Sequence, residues 1–198
     1  MDKHISRQFF NEGAAHWDEE ARIKDVEKMR AMADRLEIPP FATVLDVGTG
    51  TGVFVPFLQT KLDDTGRIIC LDFAFLMLEK AVVKHGNQRV DYVCGEIETT
   101  IFRRGYFDVI VCYSTFPHFH DKPIAMRNMH ALLKEGGRLY ICHTANREFI
   151  NDIHRSVPAL SDHLIPENDV MGALLESAGF ADVSVDDGED AYLVTGIR

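Results

Sequence analysis

The stretch that most constrains how this chain can fold is VLDVGTGTG, Val44 to Gly52. Residues 43–46 have the apolar character of a buried strand, and three glycines at alternate positions follow them. After Gly52, apolar residues recur at three- and four-residue spacing, which predicts a helix over 53–61. Glycine is needed in the turn because the backbone turns sharply and lies close to a ligand. A strand, a glycine-rich turn and a helix predict the first unit of a nucleotide-type α/β fold.

The composition limits the classes of function that remain. The 198 residues suit one domain, and 46% hydrophobic with 26% charged residues is typical of a soluble globular protein. A net charge of −10 argues against a nucleic-acid partner, because phosphate binding requires clustered Lys and Arg. The N-terminus is polar, and no apolar run approaches the roughly 20 residues of a membrane span. We therefore expect no membrane partner.

The four cysteines indicate the redox environment. They are Cys70, Cys94, Cys112 and Cys142, and no two of them form a C-x-x-C pair. Each one lies in or at the end of an apolar, strand-like run, so we expect buried free thiols within a sheet. Unpaired thiols suit a reducing compartment, and the predicted location is the cytoplasm.

Strands and helices alternate along the rest of the chain, and this alternation predicts a mainly parallel sheet covered on both faces. Ligands of such sheets bind at the carboxyl ends of the strands. Further strands are predicted over 67–72, 89–95, 106–113 and 138–143, with a C-terminal hairpin over 181–185 and 191–196. Further helices are predicted over 19–36 and 75–84, between Asp121 and Gly136-Gly137, over 146–155, and from Pro166 to Leu175 with Gly179 as its cap.

Acidic turns follow two of these strands. Asp72 comes twenty residues after Gly52, where a carboxylate can accept hydrogen bonds from ribose hydroxyls. Gly95-Glu96-Ile97-Glu98 ends the third strand, and Cys112-Tyr113-Ser114 ends the fourth. With VLDVGTGTG, CLDFA, GEIE, FDVIVCY and LLKEGGRLYI in this order, the chain resembles the class I S-adenosylmethionine-dependent methyltransferases over roughly residues 40–145.

The resemblance implies a fold and a domain plan. The fold class is α/β, Rossmann-like and doubly wound, with a mostly parallel seven-stranded sheet, helices on both faces and an antiparallel C-terminal hairpin. Residues 1–198 would form a single methyltransferase domain. Within it, 1–38 would be an N-terminal helical lid, 40–145 the cofactor-binding core, and 146–198 the C-terminal helices and hairpin.

The resemblance also implies the cofactor, S-adenosylmethionine, and the residues that bind it. Residues of the glycine turn would hold its methionine and ribose, Asp72 its ribose hydroxyls, and Phe73 its adenine. Glu96 would contact the adenine in place of the more frequent aspartate. The complete predicted cofactor set is Asp46, Gly48, Thr49, Gly50, Gly52, Asp72, Phe73, Glu96, Ile97 and Cys112.

Two alternatives to this reading stay open. An NAD-dependent oxidoreductase would need G-x-G-x-x-G, in which the third glycine allows close packing beside a pyrophosphate. Val53 occupies that place, so the fingerprint fails. A non-catalytic S-adenosylmethionine-binding regulatory protein is the second alternative. An acceptor pocket filled by Phe116 and Trp17 would favour it.

The acceptor is expected over the ends of the fourth and fifth strands, and histidines mark this region. His118 and His143 are the candidate general bases, and His118, His143 and His154 are the candidate ligands of a metal-assisted site, although we expect no metal. Separate surface or hydrogen-bonded histidines are the alternative. The candidate acceptor-binding residues are Phe9, Phe10, Trp17, Tyr113, Phe116, Arg147 and His154, with hydrophobic packing as the alternative role of the aromatic ones.

The N-terminus indicates the class of acceptor but fixes neither the substrate nor the atom that is methylated. The opening FFNEGAAHWDEE resembles small-molecule methyltransferases of the quinone-biosynthesis type. We therefore expect a small-molecule acceptor as the partner, a monomer or homodimer, and in-line methyl transfer with no obligatory catalytic triad.

Overall fold

The computed structural model describes residues 3–20, 25–99 and 102–198. Its strands are β1 Thr43–Val47, β2 Arg67–Asp72, β3 Val90–Cys94, β4 Phe107–Tyr113, β5 Leu133–His143, β6 Ala181–Asp187 and β7 Tyr192–Ile197. They form one seven-stranded sheet in the order β3-β2-β1-β4-β5-β7-β6. Neighbours from β3 to β5 pair in parallel, and β7 is antiparallel to both β5 and β6. The predicted Rossmann-like sheet with an antiparallel C-terminal hairpin is confirmed.

The helices connect these strands. They are α1 Lys3–Gly13, α2 Trp17–Glu20, α3 Val26–Arg35, α4 Val55–Gln59, α5 Phe75–His85, α6 Lys122–Leu132, α7 Arg147–Ser156 and α8 Asn168–Ser177, with 3-10 turns at Ile97–Thr99, Phe116–His118 and Pro158–Leu160. Asp121 caps α6 as predicted, because its carboxylate accepts the Ile124 N–H at 2.8 Å. None of the helices in the described ranges is long and apolar enough to cross a membrane.

Helices cover both faces of the sheet because successive strand residues point to opposite sides. Val44 packs in a cluster with Met32 of α3 and Leu58 of α4. Its neighbour Leu45 packs in a second cluster with Met129 of α6. Leu45, Val44, Leu58 and Met129 are completely buried. The polar ends of the parallel strands are thus held by a core on each side.

The prediction of one helix over 19–36 is wrong at Asp25. Helix α2 ends at Glu20 and α3 begins at Val26, while residues 21–24 lie outside the described residues. The Asp25 carboxylate accepts the N–H groups of Glu27 and Lys28 at 2.9 and 3.1 Å, so it caps a new helix. Helix α4 is also shorter than the predicted range 53–61.

Strand β5 begins five residues earlier than predicted. Phe107 pairs with Leu133 and Val109 with Arg138, so β5 carries extra residues in a bulge. Gly136 lies in that bulge with φ +75°, and α6 ends at Leu132 rather than at the glycine pair. The expected burial of the cysteines is wrong for Cys94, which is exposed on the edge strand β3.

Candidate functional site

A cleft opens where the order of the sheet reverses, between β1 and β4. Loops that leave the carboxyl ends of these strands run in opposite directions, which creates a crevice for ligands. The cleft has about 570 Å³ of open space including its mouth, of which about 60 Å³ admits the centre of a water molecule, so it is narrow in this conformation. It is lined by Ser6, Val47, Gly48, Leu71, Asp72, Phe73, Gly95, Glu96, Ile97, Glu98, Thr115, His118, Phe119, His120 and His163.

The glycine turn forms the floor of the cleft. Gly48 has φ +70°, and a Cβ atom on it would lie 1.9 Å from the Thr115 Oγ1. The turn after β1 and the turn after β4 can therefore meet only if residue 48 is glycine. Gly50 has φ +55°, but a Cβ there would meet nothing within 4 Å. Its glycine is thus required by backbone conformation and leaves open space above the turn.

Asp46 supports the turn from below. Its carboxylate accepts a hydrogen bond from the Thr49 hydroxyl, and the residue is 2% exposed. Burial raises the pKa of the Asp46 carboxyl to about 7, although the Thr49 hydroxyl lowers it. Neither Asp46 nor Thr49 lines the cleft. In this conformation they hold the backbone of the turn in place.

Asp72 presents a carboxylate to the cleft at the end of β2. One oxygen accepts the Gly50 N–H at 2.7 Å and the other accepts the Ala74 N–H at 2.8 Å. Burial raises the pKa of the Asp72 carboxyl to about 6, and these backbone N–H groups lower it. Each carboxylate oxygen can accept more than one hydrogen bond, so Asp72 is suited to a hydroxyl-bearing ligand.

Glu96 lines the cleft at the end of β3, and an ion pair connects it to the N-terminal helix. Its carboxylate accepts a hydrogen bond from the Arg7 guanidinium of α1. A second contact anchors the same helix, because the Asn11 side-chain oxygen accepts the Leu76 N–H at 2.9 Å. Helix α1 is therefore fastened to the start of α5 and to the turn after β3, and its Ser6 lines the cleft.

The ten predicted cofactor residues divide into those that line the cleft and those that do not. Cys112 does not line it, because it is completely buried and its Sγ lies 3.5 Å from the Met129 Sδ. Those that line the cleft are Gly48, Asp72, Phe73, Glu96 and Ile97. Those that do not line it are Asp46, Thr49, Gly50, Gly52 and Cys112.

Histidines gather at the other end of the cleft. His118 lies in the 3-10 turn after β4, and its Nδ1 is 2.9 Å from the Nδ1 of His163. The rings of Phe10 and His154 each lie 5.0 Å from the His118 ring, measured between centroids. Burial lowers the pKa of His118 well below its usual range, and neighbouring histidines and Lys122 lower it further. Burial and Lys122 lower the pKa of His163 to about 4.

His143 lies apart from the cleft. It is 2% exposed at the end of β5, and neither ring nitrogen has a hydrogen-bond partner among the described residues. Burial lowers the pKa of His143 to about 3. The described residues contain no group of three or more His, Cys, Asp and Glu side chains arranged to hold a metal ion. The alternative of a metal site made from His118, His143 and His154 thus has no matching geometry.

The predicted acceptor-binding aromatics pack behind the cleft. Tyr113 stacks on Phe54 with 4.3 Å between ring centroids, and its hydroxyl is 3.1 Å from the Thr144 hydroxyl. Phe116 is completely buried against Phe119. Neither Tyr113 nor Phe116 lines the cleft.

The N-terminal aromatics form the wall next to His118. Phe10 contacts Phe9 and Trp17 edge to face at 5.4 and 5.5 Å, and Phe73 at 5.7 Å. Phe73 lines the cleft, so this group lies directly behind its surface.

The two predicted acceptor-binding residues on α7, Arg147 and His154, contact neighbouring segments of the chain. Arg147 pairs with Glu167 at 2.9 Å, so it holds the start of α8. His154 donates from Nδ1 to the His163 carbonyl, since a carbonyl can only accept. Neither residue lines the cleft, and both position neighbouring segments.

The predicted site residues leave out five polar residues that line the cleft: Ser6, Glu98, Thr115, His120 and His163. Thr115 and His120 follow β4 directly, so their position at a strand end was a usable signal. No local pattern marks His163, which lies 45 residues from its partner His118.

The fold and the cleft define an α/β protein with an open crevice at the switch point of its sheet. The model of the methyltransferase domain matches residues 45–141 of the chain. The chain is 29% identical over 161 residues to a ubiquinone/menaquinone biosynthesis C-methyltransferase of an Enterobacter species, covering 79% of this chain and 59% of that one. It is 29% identical over 175 residues to wheat phosphoethanolamine N-methyltransferase 1, covering 84% of this chain and 34% of that one.

Solved structures give the same answer for the fold. The chain matches one chain of the complex between the Haloferax volcanii Trm112 methyltransferase activator and a methyltransferase, with a TM-score of 0.78 and 18% identity. That match covers 95% of this chain and 96% of the other. The chain therefore carries a domain of the S-adenosylmethionine-dependent methyltransferase family, and S-adenosylmethionine is the family's cofactor. It spans 59% or less of these two curated relatives.

Proposed function

We propose that this protein transfers a methyl group from S-adenosylmethionine to a small-molecule acceptor in the cleft, next to His118. One observation carries the proposal: the acids that end β2 and β3 and the histidine that follows β4 line the same cleft. A donor held by Asp72 and Glu96 and an acceptor next to His118 would therefore be neighbours. Bringing two reactants together in a fixed orientation is the main requirement of methyl transfer.

The chemistry of the donor end is suited to this cofactor. S-adenosylmethionine, when bound, supplies a methyl group on a positively charged sulfur. Asp72 and Glu96 offer carboxylate oxygens for hydroxyl and amino groups, and the open space above Gly50 lets the backbone approach a ligand. The lining glutamates and aspartate also give this end an acidic character, which suits a cationic ligand and disfavours a pyrophosphate.

The acceptor end supports a small molecule. The cleft is narrow, and α1 covers it through Ser6 and the ion pair between Arg7 and Glu96. His118 has a lowered pKa, so it is a neutral ring that can accept a proton at neutral pH. The relatives named above carry different acceptors in their names, so they support the reaction and leave the acceptor open.

A non-catalytic binding protein is less well supported. That alternative would be favoured by an acceptor space filled by Phe116 and Trp17. Phe116 instead packs in the core, and Trp17 packs behind Phe10. We also propose a cytoplasmic location and a monomer or homodimer, in keeping with the sequence.

Calorimetric titration with S-adenosylmethionine and its demethylated product tests the donor site. Asp72→Asn should weaken both ligands by about 10- to 100-fold, the usual effect of losing a hydrogen bond to a charged group. The matched control is Asp91→Asn, an exposed carboxylate on the neighbouring strand β3, which should bind like the wild type. Absence of binding by the wild type would refute the proposal. A screen of small acceptors with labelled cofactor then identifies the methylated class.

A further inference from the structure

A pair of histidines at the acceptor end has its rings in direct contact. The Nδ1 atoms of His118 and His163 are 2.9 Å apart, which is a hydrogen-bond distance. A neutral imidazole carries one N–H and one lone pair, so one Nδ1 must donate and the other must accept. The two rings must therefore be opposite tautomers, and they share one proton along this contact.

Neighbouring elements hold this contact from behind. His154 of α7 donates from Nδ1 to the His163 carbonyl. The Asn151 side chain donates to the Ile165 carbonyl at 2.9 Å and accepts its N–H at 2.8 Å. Asn151 is 1% exposed, so these bonds fix the loop that carries His163. Lys122 donates to the Pro117 and Phe119 carbonyls at 3.0 and 3.3 Å, and so holds the turn that carries His118.

The charges around the pair keep it neutral. The described groups that act on the pair are Lys122 of α6, His154 of α7, His143 of β5 and Asp162 of the loop. Glu98, in the 3-10 turn Ile97–Thr99, acts on Lys122. Burial is the largest effect on both rings, and Lys122 opposes a positive charge on either. Two protonated rings could not keep the 2.9 Å contact, since neither Nδ1 would accept.

We propose that His118 and His163 form a proton relay, and that the acceptor is a protic group, an O–H, S–H or acidic C–H, which loses its proton on methylation. This proposal rests on the proposed function. His118 lines the cleft and its Nδ1 is taken by His163, so Nε2 is the atom left to face the acceptor. His163 is half-buried, and its Nε2 is the atom left to exchange with water.

One proton leaves the acceptor and reaches water through the two rings. The acceptor atom forms a bond to the methyl carbon as the sulfur–methyl bond of the cofactor breaks, and it gives its proton to His118 Nε2. His118 passes its Nδ1 proton to His163 Nδ1, and His163 releases its Nε2 proton to water. The net products are the methylated acceptor, the demethylated cofactor and one proton in solution. After product release, His163 takes a proton from water at Nε2, returns its Nδ1 proton to His118 Nδ1, and His118 releases its Nε2 proton to water in the emptied cleft.

Nuclear magnetic resonance of protein labelled with ¹⁵N in its histidines tests the pair directly. Long-range spectra distinguish the two neutral tautomers and the charged ring, and His118→Gln and His163→Gln assign the two signals. With the demethylated cofactor bound, we expect both rings neutral at pH 7.5, in opposite tautomers. Identical tautomers, or a charged ring, would overturn the relay. Calorimetry on the same sample separates this failure from failure of the proposed function, which is absence of cofactor binding.

Kinetics with two probe acceptors test the transfer itself. Catechol keeps its proton at neutral pH, whereas 4-nitrocatechol is already largely ionised there. His163→Gln should slow methylation of catechol by about 100-fold, and that of 4-nitrocatechol by less than about 2-fold. The matched control, His130→Gln, lies at the far end of α6 and should slow neither.

A general structural effect of the substitution would slow the methylation of catechol and of 4-nitrocatechol equally, and that result would overturn the relay. So would a folded wild type that binds cofactor and methylates an amine but neither catechol. His163→Asn provides a second variant if His163→Gln fails to fold, and circular dichroism checks both.

Discussion

Asp46→Asn should make the protein more stable at alkaline pH, because a buried carboxylate would no longer have to ionise. Burial raises the pKa of Asp46 from 3.8 to about 7 in the folded protein. A group with a raised folded pKa stabilises the fold below its unfolded pKa and loses that contribution as pH rises through the folded pKa. The contribution of Asp46 to the free energy of unfolding of the wild type should therefore fall between about pH 4 and pH 7.

The magnitude follows from the shift. One pKa unit corresponds to 1.36 kcal/mol, so a shift from 3.8 to about 7 corresponds to about 4 kcal/mol over the whole range. About 1.5 kcal/mol of this loss has already occurred by pH 5, which leaves about 2.5 kcal/mol between pH 5 and pH 8. Asparagine can still accept the Thr49 hydroxyl, and any other cost of the substitution is independent of pH, so it cancels in the comparison.

Urea unfolding of the two proteins at pH 5 and pH 8 measures this difference. The free energy of unfolding of the wild type should fall by about 2.5 kcal/mol more than that of Asp46→Asn between the two pH values. Equal urea m-values serve as the control that the unfolded states are alike. Parallel pH dependence in the two proteins would refute the claim that Asp46 is buried as a carboxylate with a raised pKa. Since Asp46 lies behind the cleft, the variant should lose less cofactor affinity than Asp72→Asn.

Three further substitutions test other parts of the site. Gly48→Ala should lower the free energy of unfolding by more than about 2 kcal/mol in urea, because its Cβ would lie 1.9 Å from the Thr115 Oγ1; unchanged stability would contradict the close approach. Arg7→Ala should change the free energy of unfolding by less than about 1 kcal/mol, since the Arg7 side chain is 41% exposed. It should nevertheless speed cofactor release in stopped-flow measurements. An unchanged release rate would show that the ion pair of α1 does not slow the departure of the cofactor. His143→Leu should leave the free energy of unfolding unchanged or raise it by up to about 3 kcal/mol, because it removes two buried nitrogens that lack a hydrogen-bond partner in the described part of the chain. Lost turnover in the folded variant would place His143 in catalysis.

Short stretches of sequence were enough to predict those parts of the fold that depend only on residues close together in the chain. The sharp turn predicted from Gly48 to Gly52 has positive φ at each of its three glycines. Asp72 lies at the end of its strand and lines the cleft, because strand length and turn length together place it there. Helix α6 begins after Asp121 because the cap and Pro123 both act within one turn.

Contacts between distant residues were beyond the reach of the sequence. Arg7 pairs with Glu96 across 89 residues, and neither residue carries a local mark of that pairing. The start of β5 depends on its register with Phe107, so the glycine pair that predicted a helix end instead lies in a bulge. Apolar periodicity continues through Asp25, and it concealed the cap that begins α3.

The charges of two buried carboxylates at this site lower the stability of the fold. Asp46 and Asp72 lie under one turn, burial raises the pKa of both, and the charge of Asp72 raises that of Asp46 further. A sequence selected for stability alone would replace at least one of them with a neutral residue, because an isolated buried charge is costly. Backbone N–H groups of the glycine turn offset part of that cost by donating to Asp72. A cationic, hydroxyl-bearing ligand at the same place would offset more of the cost of burying these charges. Two buried acids with raised pKa values are therefore an argument for a ligand of this kind in the cleft.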